Sequence, residues 1–267
     1  MKNTFLNKLS NSGLEMDKFI SKFMDIKLNI GNGVGAGKLF ESLFVAFINN
    51  YNKSGLSMEG LTATHLNLSN SSFIWDIIIS DCVDANQKKQ EIIDVIKNGV
   101  DIESNISSII GDNWIGISLK TYKENACQIT TDYSYRTFLE DTVGESELIG
   151  EDVDTFFNML NKHDKNRYAI LALNTYEQGT YSFRLLSFDK KFDKVSYKKN
   201  IKLSQYDLSI DGVNYFKVLY GKNQANPFQR GIWTHNNNSI EYFQLIKSGN
   251  YEVDDYFQTA ILSTIFE

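Results

Sequence analysis

Two short stretches of this chain put chemically capable side chains where the surrounding residues are apolar. In Phe73-Ile74-Trp75-Asp76-Ile77-Ile78-Ile79 one carboxylate interrupts a β-branched and aromatic run that reads as a central strand. In Trp114 to Thr121, also strand-like, Ser118 and Lys120 are two residues apart and therefore share one face. An ionised acid inside an apolar strand is costly unless it meets a cation or several donors, so Asp76 needs a partner. If the two strands are neighbours, Asp76, Ser118 and Lys120 converge, with the backbone carbonyl of Leu119 available as a further oxygen ligand. Hard divalent ions such as Mg2+ take oxygen ligands, so the chemistry open to this set is metal-assisted hydrolysis of a phosphodiester. Each residue also has a plainer reading: Asp76 as a strand-end acid capping a loop, and Lys120 as a solvated strand lysine.

The elements that must position these groups can be read from apolar spacing. Residues 3 to 27 form one or two amphipathic helices, with Phe5, Leu9, Phe19, Ile20 and Phe23 at helical intervals. The run Gly31 to Gly37 reads as a flexible loop that feeds a helix over Lys38 to Ile48, apolar on more than one face and hence buried. A polar turn over Asn67 to Ser72 precedes the first strand. Residues 85 to 110 read as helical, with Ile92, Ile93, Val95 and Ile96 as the inner stripe, inserted between the two strands. Helices over 126 to 140 and 151 to 163 follow, then strands over Tyr168 to Leu173 and Tyr181 to Phe188. Beyond residue 190 come a lysine-rich hairpin (Lys190, Lys191, Lys194, Lys198, Lys199, Lys202), short strands between polar loops, and a closing helix over 254 to 266. The expected class is α/β, a central mixed β-sheet flanked by helices with a C-terminal β-rich elaboration.

Composition narrows the functions available. Hydrophobic residues at 42% and aromatics at 13% of 267 residues describe an ordered chain able to bury a full core. A balance of 27 basic against 33 acidic residues, net -6, excludes coating nucleic acid by bulk electrostatics, so any DNA site must be local. Cys82 and Cys127 are far apart and support neither a zinc cluster nor a disulfide framework, which fits a cytoplasmic protein. No stretch approaches the roughly 20 apolar residues that cross a bilayer, so no membrane role is expected. A phosphate loop would need glycine at Asn32 and a hydroxyl at Leu39, and a dinucleotide fingerprint would need glycine at Ala36 or Lys38. His65, His163 and His235 are too dispersed for a metal triad; His65 remains either structural or near the mouth of the site.

An acid on one strand followed by a triplet ending in lysine on the next resembles the PD-(D/E)xK nuclease superfamily, and within it the type II restriction endonucleases. Here the triplet is Ser118-Leu119-Lys120, with serine where the second acid usually stands. Some restriction enzymes of this kind recruit a glutamate from the preceding core helix, which in this chain is Glu41 in GKLFESLF. The resemblance spans residues 35 to 190 and implies a restriction-endonuclease-like core within one nuclease domain, 1 to 267. Residues 1 to 34 would be N-terminal helices, 85 to 112 a helical insertion, and 191 to 267 a DNA-recognition elaboration. It further implies Mg2+ held by Asp76, Glu41 and the Leu119 carbonyl, with Lys120 orienting the attacking water and Ser118 assisting through a water. Asp81, Asp84 and Asp112 are rival metal ligands. Gln128, on the expected helix after the second strand, would approach the metal or the DNA backbone and Lys123 a phosphate; an ordinary polar helix start is the plainer reading of both.

Base edges are read by Asn, Gln, Arg and Lys, and such groups concentrate in Asn223, Gln224, Asn226, Gln229, Arg230, His235, Asn236 and Asn237. A polar surface loop is the plainer reading. The resemblance implies double-stranded DNA as substrate, a homodimer cutting both strands, and a DNA methyltransferase as genetic partner. Two alternatives stay open: a non-catalytic DNA-binding protein with a nuclease-like fold, motivated by Ser118, and a DNA-repair nuclease.

Overall fold

Ile77, Ile78 and Ile79 are consecutive and fully buried, so the sheet that contains them must be covered on both faces. The computed structural model describes residues 1–30, 34–67, 75–122, 128–129, 166–175, 177–186, 194–199, 204–220, 232–234 and 243–252. Five helices are seen there: α1 (Lys2–Ser10), α2 (Gly13–Ile30), α3 (Val34–Asn50), α4 (Lys89–Asn98) and α5 (Ile102–Ile110). The early strands are β1 (Thr62–His65), β2 (Ile77–Ser80), β3 (Trp114–Tyr122), β4 (Gln128–Ile129), β5 (Tyr168–Asn174) and β6 (Thr180–Leu186). The later ones are β7 (Lys194–Lys199), β8 (Ser204–Ile210), β9 (Val213–Tyr220), β10 (Ile232–Thr234) and β11 (Phe243–Asn250).

A six-stranded open sheet runs β1-β2-β3-β5-β6-β11, and a five-stranded sheet runs β4-β10-β9-β8-β7. The first is mixed: β3 and β5 are parallel, the other pairs antiparallel. The second is antiparallel throughout. The molecule is thus α/β, as its pattern predicts.

Alternation along the strands divides the core in two. Ala63, Ile77, Ile79, Ile117, Leu119, Leu171 and Phe183 pack with α1, α2 and α3, whose Phe19, Phe23, Phe40, Phe44 and Phe47 form an aromatic cluster. Phe40 and Phe44 reach Phe183 of β6 at ring-centroid distances of 6.1 and 5.8 Å, which fixes α3 against the sheet on both sides of Glu41. On the opposite face Ile92, Ile93 and Ile96 of α4 and Ile106 and Ile110 of α5 cover Ile78, Trp75 and Trp114. Helix α4 therefore forms where the isoleucine stripe places it, and the insertion between β2 and β3 continues into a second helix, α5. Gly99 closes α4 in the left-handed region at φ 71°, a conformation that costs glycine little.

Several sequence expectations are corrected. Helix α3 starts at Val34, so Gly35 and Gly37 are helical rather than part of a loop. The buried face of this helix runs back from Phe44 and Phe40 to Ala36, one turn earlier, and packing overrides the low propensity of glycine. Strand β2 starts at Ile77, leaving Asp76 just ahead of it; Phe73 and Ile74 lie outside the described residues. The strand β1 was not anticipated. Gln128 lies in a strand, not a helix, because its backbone pairs with Trp233 of β10. Strand β11, within the expected C-terminal elaboration, instead completes the first sheet beside β6. The remainder of the expected 126–140 helix and the 151–163 and 254–266 helices lie outside the described residues. Among the described residues no helix is long and apolar enough to cross a membrane.

Candidate active site

Strands β2 and β3 are neighbours, with Ile77 opposite Ile117. One residue earlier, the Asp76 backbone N–H donates to the Ile117 carbonyl at 2.9 Å, which brings Asp76 level with Ser118. Because Ile117 and Leu119 face α3, alternation turns Ser118 and Lys120 to the other face. The Asp76 carboxylate folds back onto this edge of β3. Its Oδ2 accepts the Leu119 N–H at 2.6 Å, the Ser118 hydroxyl at 3.2 Å and the Lys120 ammonium at 3.4 Å. Among the described residues Oδ1 takes no hydrogen bond. The side chains of Lys120 and Asp76 keep 15% and 20% exposure, so the pair is nearly desolvated but reachable.

A second carboxylate stands close by. Glu41 lies between Phe40 and Phe44 on α3, and its Oε2 is 3.1 Å from Nε2 of His65, the last residue of β1. His65 sits opposite Ile77 in the strand register, next to Asp76. Burial pushes the Asp76 carboxyl above the ordinary carboxylate value; Lys120 pulls it down, the negative charge of Glu41 pushes it up again, and the Leu119 N–H opposes both. Each carboxylate thus has one oxygen tied by a protein donor and the other free of hydrogen bonds among the described residues.

That donor set suits a hard cation. Mg2+ is usually held by one or two carboxylates with water completing its shell. Since the Leu119 N–H leaves β3 toward Asp76, its carbonyl leaves the strand on the same edge. Among the described residues no group of three or more His, Cys, Asp or Glu gathers into a metal cluster, so any ion here would rely on two carboxylates, a carbonyl and water.

The structure brings Asp76, Ser118, Leu119 and Lys120 together at one oxygen, with Glu41 beside them. The rival acids sit at the opposite end of β2 and β3, each with its own partner. Asp81 accepts from Asn113 at 2.9 Å, Asp84 pairs with Lys88 at 3.2 Å, and Asp112 lies 3.6 Å from Arg167. Gln128 is carried by β4 in the second sheet. Lys123, Asn223, Gln224, Asn226, Gln229, Arg230, His235, Asn236 and Asn237 lie outside the described residues. His65 is the member that sequence reasoning placed only loosely; its signal is the alternation of Ala63 and His65 on the face toward α3. No family model matches this chain, and neither curated proteins nor solved structures provide a match.

Proposed function

We propose that this chain is a Mg2+-dependent endonuclease of the type II restriction class, built on a restriction-endonuclease-like core and hydrolysing phosphodiester bonds in double-stranded DNA. The observation that carries the reading is the convergence of Lys120, Ser118 and the Leu119 N–H on Oδ2 of Asp76, with Glu41 alongside. Asp76 and Glu41 would hold the ion through their free oxygens, helped by the Leu119 carbonyl. When bound, Mg2+ supplies a water of lowered pKa and a Lewis acid for the phosphate. Ser118, fully buried, fixes the rotamer of the Asp76 carboxylate. Lys120 is anchored by Asp76 with its ammonium at the site, where it orients the attacking water and offsets charge on the phosphate. The finer reading includes a homodimer with one site per DNA strand and a DNA methyltransferase that protects host DNA.

Serine in place of a second acid favours a second reading, a DNA-binding protein that has lost cleavage. Incubating the full chain with unmethylated phage DNA, with Mg2+ or with chelator, separates the possibilities on a gel. Discrete fragments that require Mg2+ are expected. Intact DNA despite measurable binding would replace the first reading by the second, and degradation without preferred sites would point to a repair nuclease.

A further inference from the structure

We infer that His65 is a positioning residue for Glu41: it holds one carboxylate oxygen through Nε2 so that the other is presented to the cation shared with Asp76. The inference rests on the reading above. Two links fasten β1, the edge strand, to α3. Asn49 donates to the Ala63 carbonyl and accepts the Ala63 N–H, both at 2.9 Å, and about two helical turns earlier Glu41 meets His65 at 3.1 Å. Strand β1 is in turn tied to the acid it flanks, because the Leu66 N–H donates to the Asp76 carbonyl at 3.1 Å. The helix that carries Glu41 and the backbone that carries Asp76 are therefore held in one frame, and His65 is the only part of that frame that grips the Glu41 side chain among the described residues.

A glutamate side chain that must be immobile in a site loses substantial rotamer freedom, and a hydrogen bond formed before the ion arrives meets that cost in advance. Donors that orient ligating carboxylates characteristically change metal affinity by about 10- to 100-fold when removed. The 19% and 21% exposure of the His65 and Glu41 side chains leaves room for an ion to reach Glu41 without unpacking α3. Mg2+ prefers oxygen to imidazole, which assigns His65 to holding the carboxylate rather than to ligating the ion.

The test is Mg2+ binding to the full chain by titration calorimetry, a readout independent of cleavage. His65→Ala is expected to weaken Mg2+ binding about tenfold. His65→Gln, whose amide nitrogen reaches the position of Nε2, should restore it, and His65→Ala should add nothing to Glu41→Ala. Should His65→Ala fail to fold, His65→Asn, polar but too short to reach Glu41, takes its place with the same expected loss. Unchanged Mg2+ affinity in the short variants, or no rescue by glutamine, would overturn the inference, the latter by making the imidazole itself a ligand. A wild-type chain that binds no Mg2+ would overturn it together with the metal-dependent reading. One that binds Mg2+ with this pattern yet leaves DNA intact would sink the nuclease reading alone.

Discussion

At Asp76 the fold keeps a carboxylate where burial and the charge of Glu41 favour its neutral form, opposed by Lys120 and the Leu119 N–H. Such a residue is retained at a cost in stability, and Asp76→Asn in chelator should stabilise the fold by about 1 kcal/mol, read by chemical denaturation. The pH dependence follows from the sign of the shift. A folded-state pKa above the ordinary 3.8 means the folded protein holds this proton more tightly than the unfolded chain. The stability that Asp76 contributes is thus present at and below 3.8 and is lost as pH rises through the raised folded value. The advantage of Asp76→Asn should therefore be absent at acid pH and grow toward neutrality; an advantage that shrinks with rising pH would contradict the assignment. Added Mg2+ should stabilise the wild type and not the variant, by mass action on the native state. Asp76, Ser118 and Lys120 were legible as a set because a polar residue in an apolar strand and a two-residue interval both survive without tertiary information. Glu41 was reached through resemblance alone, and its contact with His65 was not legible, since a separation of 24 positions carries no spacing rule.

Among the elements, the junction of β2 and β3 is the part least able to change. A Cβ on Gly116 would come within 2.5 Å of the Trp75 ring, and Trp75 is itself pinned against Trp114 at 5.3 Å. Gly116→Ala must displace the residue adjacent to Asp76. The expected cost is about 1–3 kcal/mol in denaturation, together with reduced cleavage; a fully stable and active variant would mean the junction is more adaptable than its packing indicates. Helix α4 was readable from its stripe Ile92, Ile93, Val95 and Ile96, whereas the break at Gly99 and the separate helix α5 were not. The four-residue β1, Thr62-Ala63-Thr64-His65, was not, because it is short, lacks a large aliphatic residue and owes its place to pairing with β2. The same reason explains Gln128: a two-residue strand is defined by its partner on β10, not by its own sequence. At α3 the glycines hid a helix start that Ala36 and the phenylalanines determine.

On the scale of the whole molecule, the C-terminal region is not merely an appendage to a finished core. Strand β11 covers the edge of β6, and the N-terminal helices fasten it: the Ser10 hydroxyl donates to the Ile246 carbonyl at 2.7 Å and that of Ser21 to the Glu252 carbonyl at 2.5 Å. Removing residues 243 to 267 should expose β6 as an open edge and yield an aggregating or non-cooperatively folding protein by thermal denaturation and light scattering. A stable monomer would show that β11 is dispensable. This return of the chain was not legible, since strand order between distant segments leaves no mark in local periodicity. The lysine-bearing β7 forms the edge of the second sheet, paired antiparallel with β8 as the hairpin read from sequence expects, and lysines on an edge strand oppose edge-to-edge association.

The role of Lys120 is tested by single-turnover cleavage of unmethylated duplex DNA in Mg2+ by the wild type and by Lys120→Ala, at protein concentrations that bind the DNA equally. Removing a group that stabilises developing charge costs on the order of 10²–10³ in rate, so the variant should bind as the wild type does and cut at least that much more slowly. Equal cleavage by the two proteins would remove Lys120 from the chemistry and contradict the site described here.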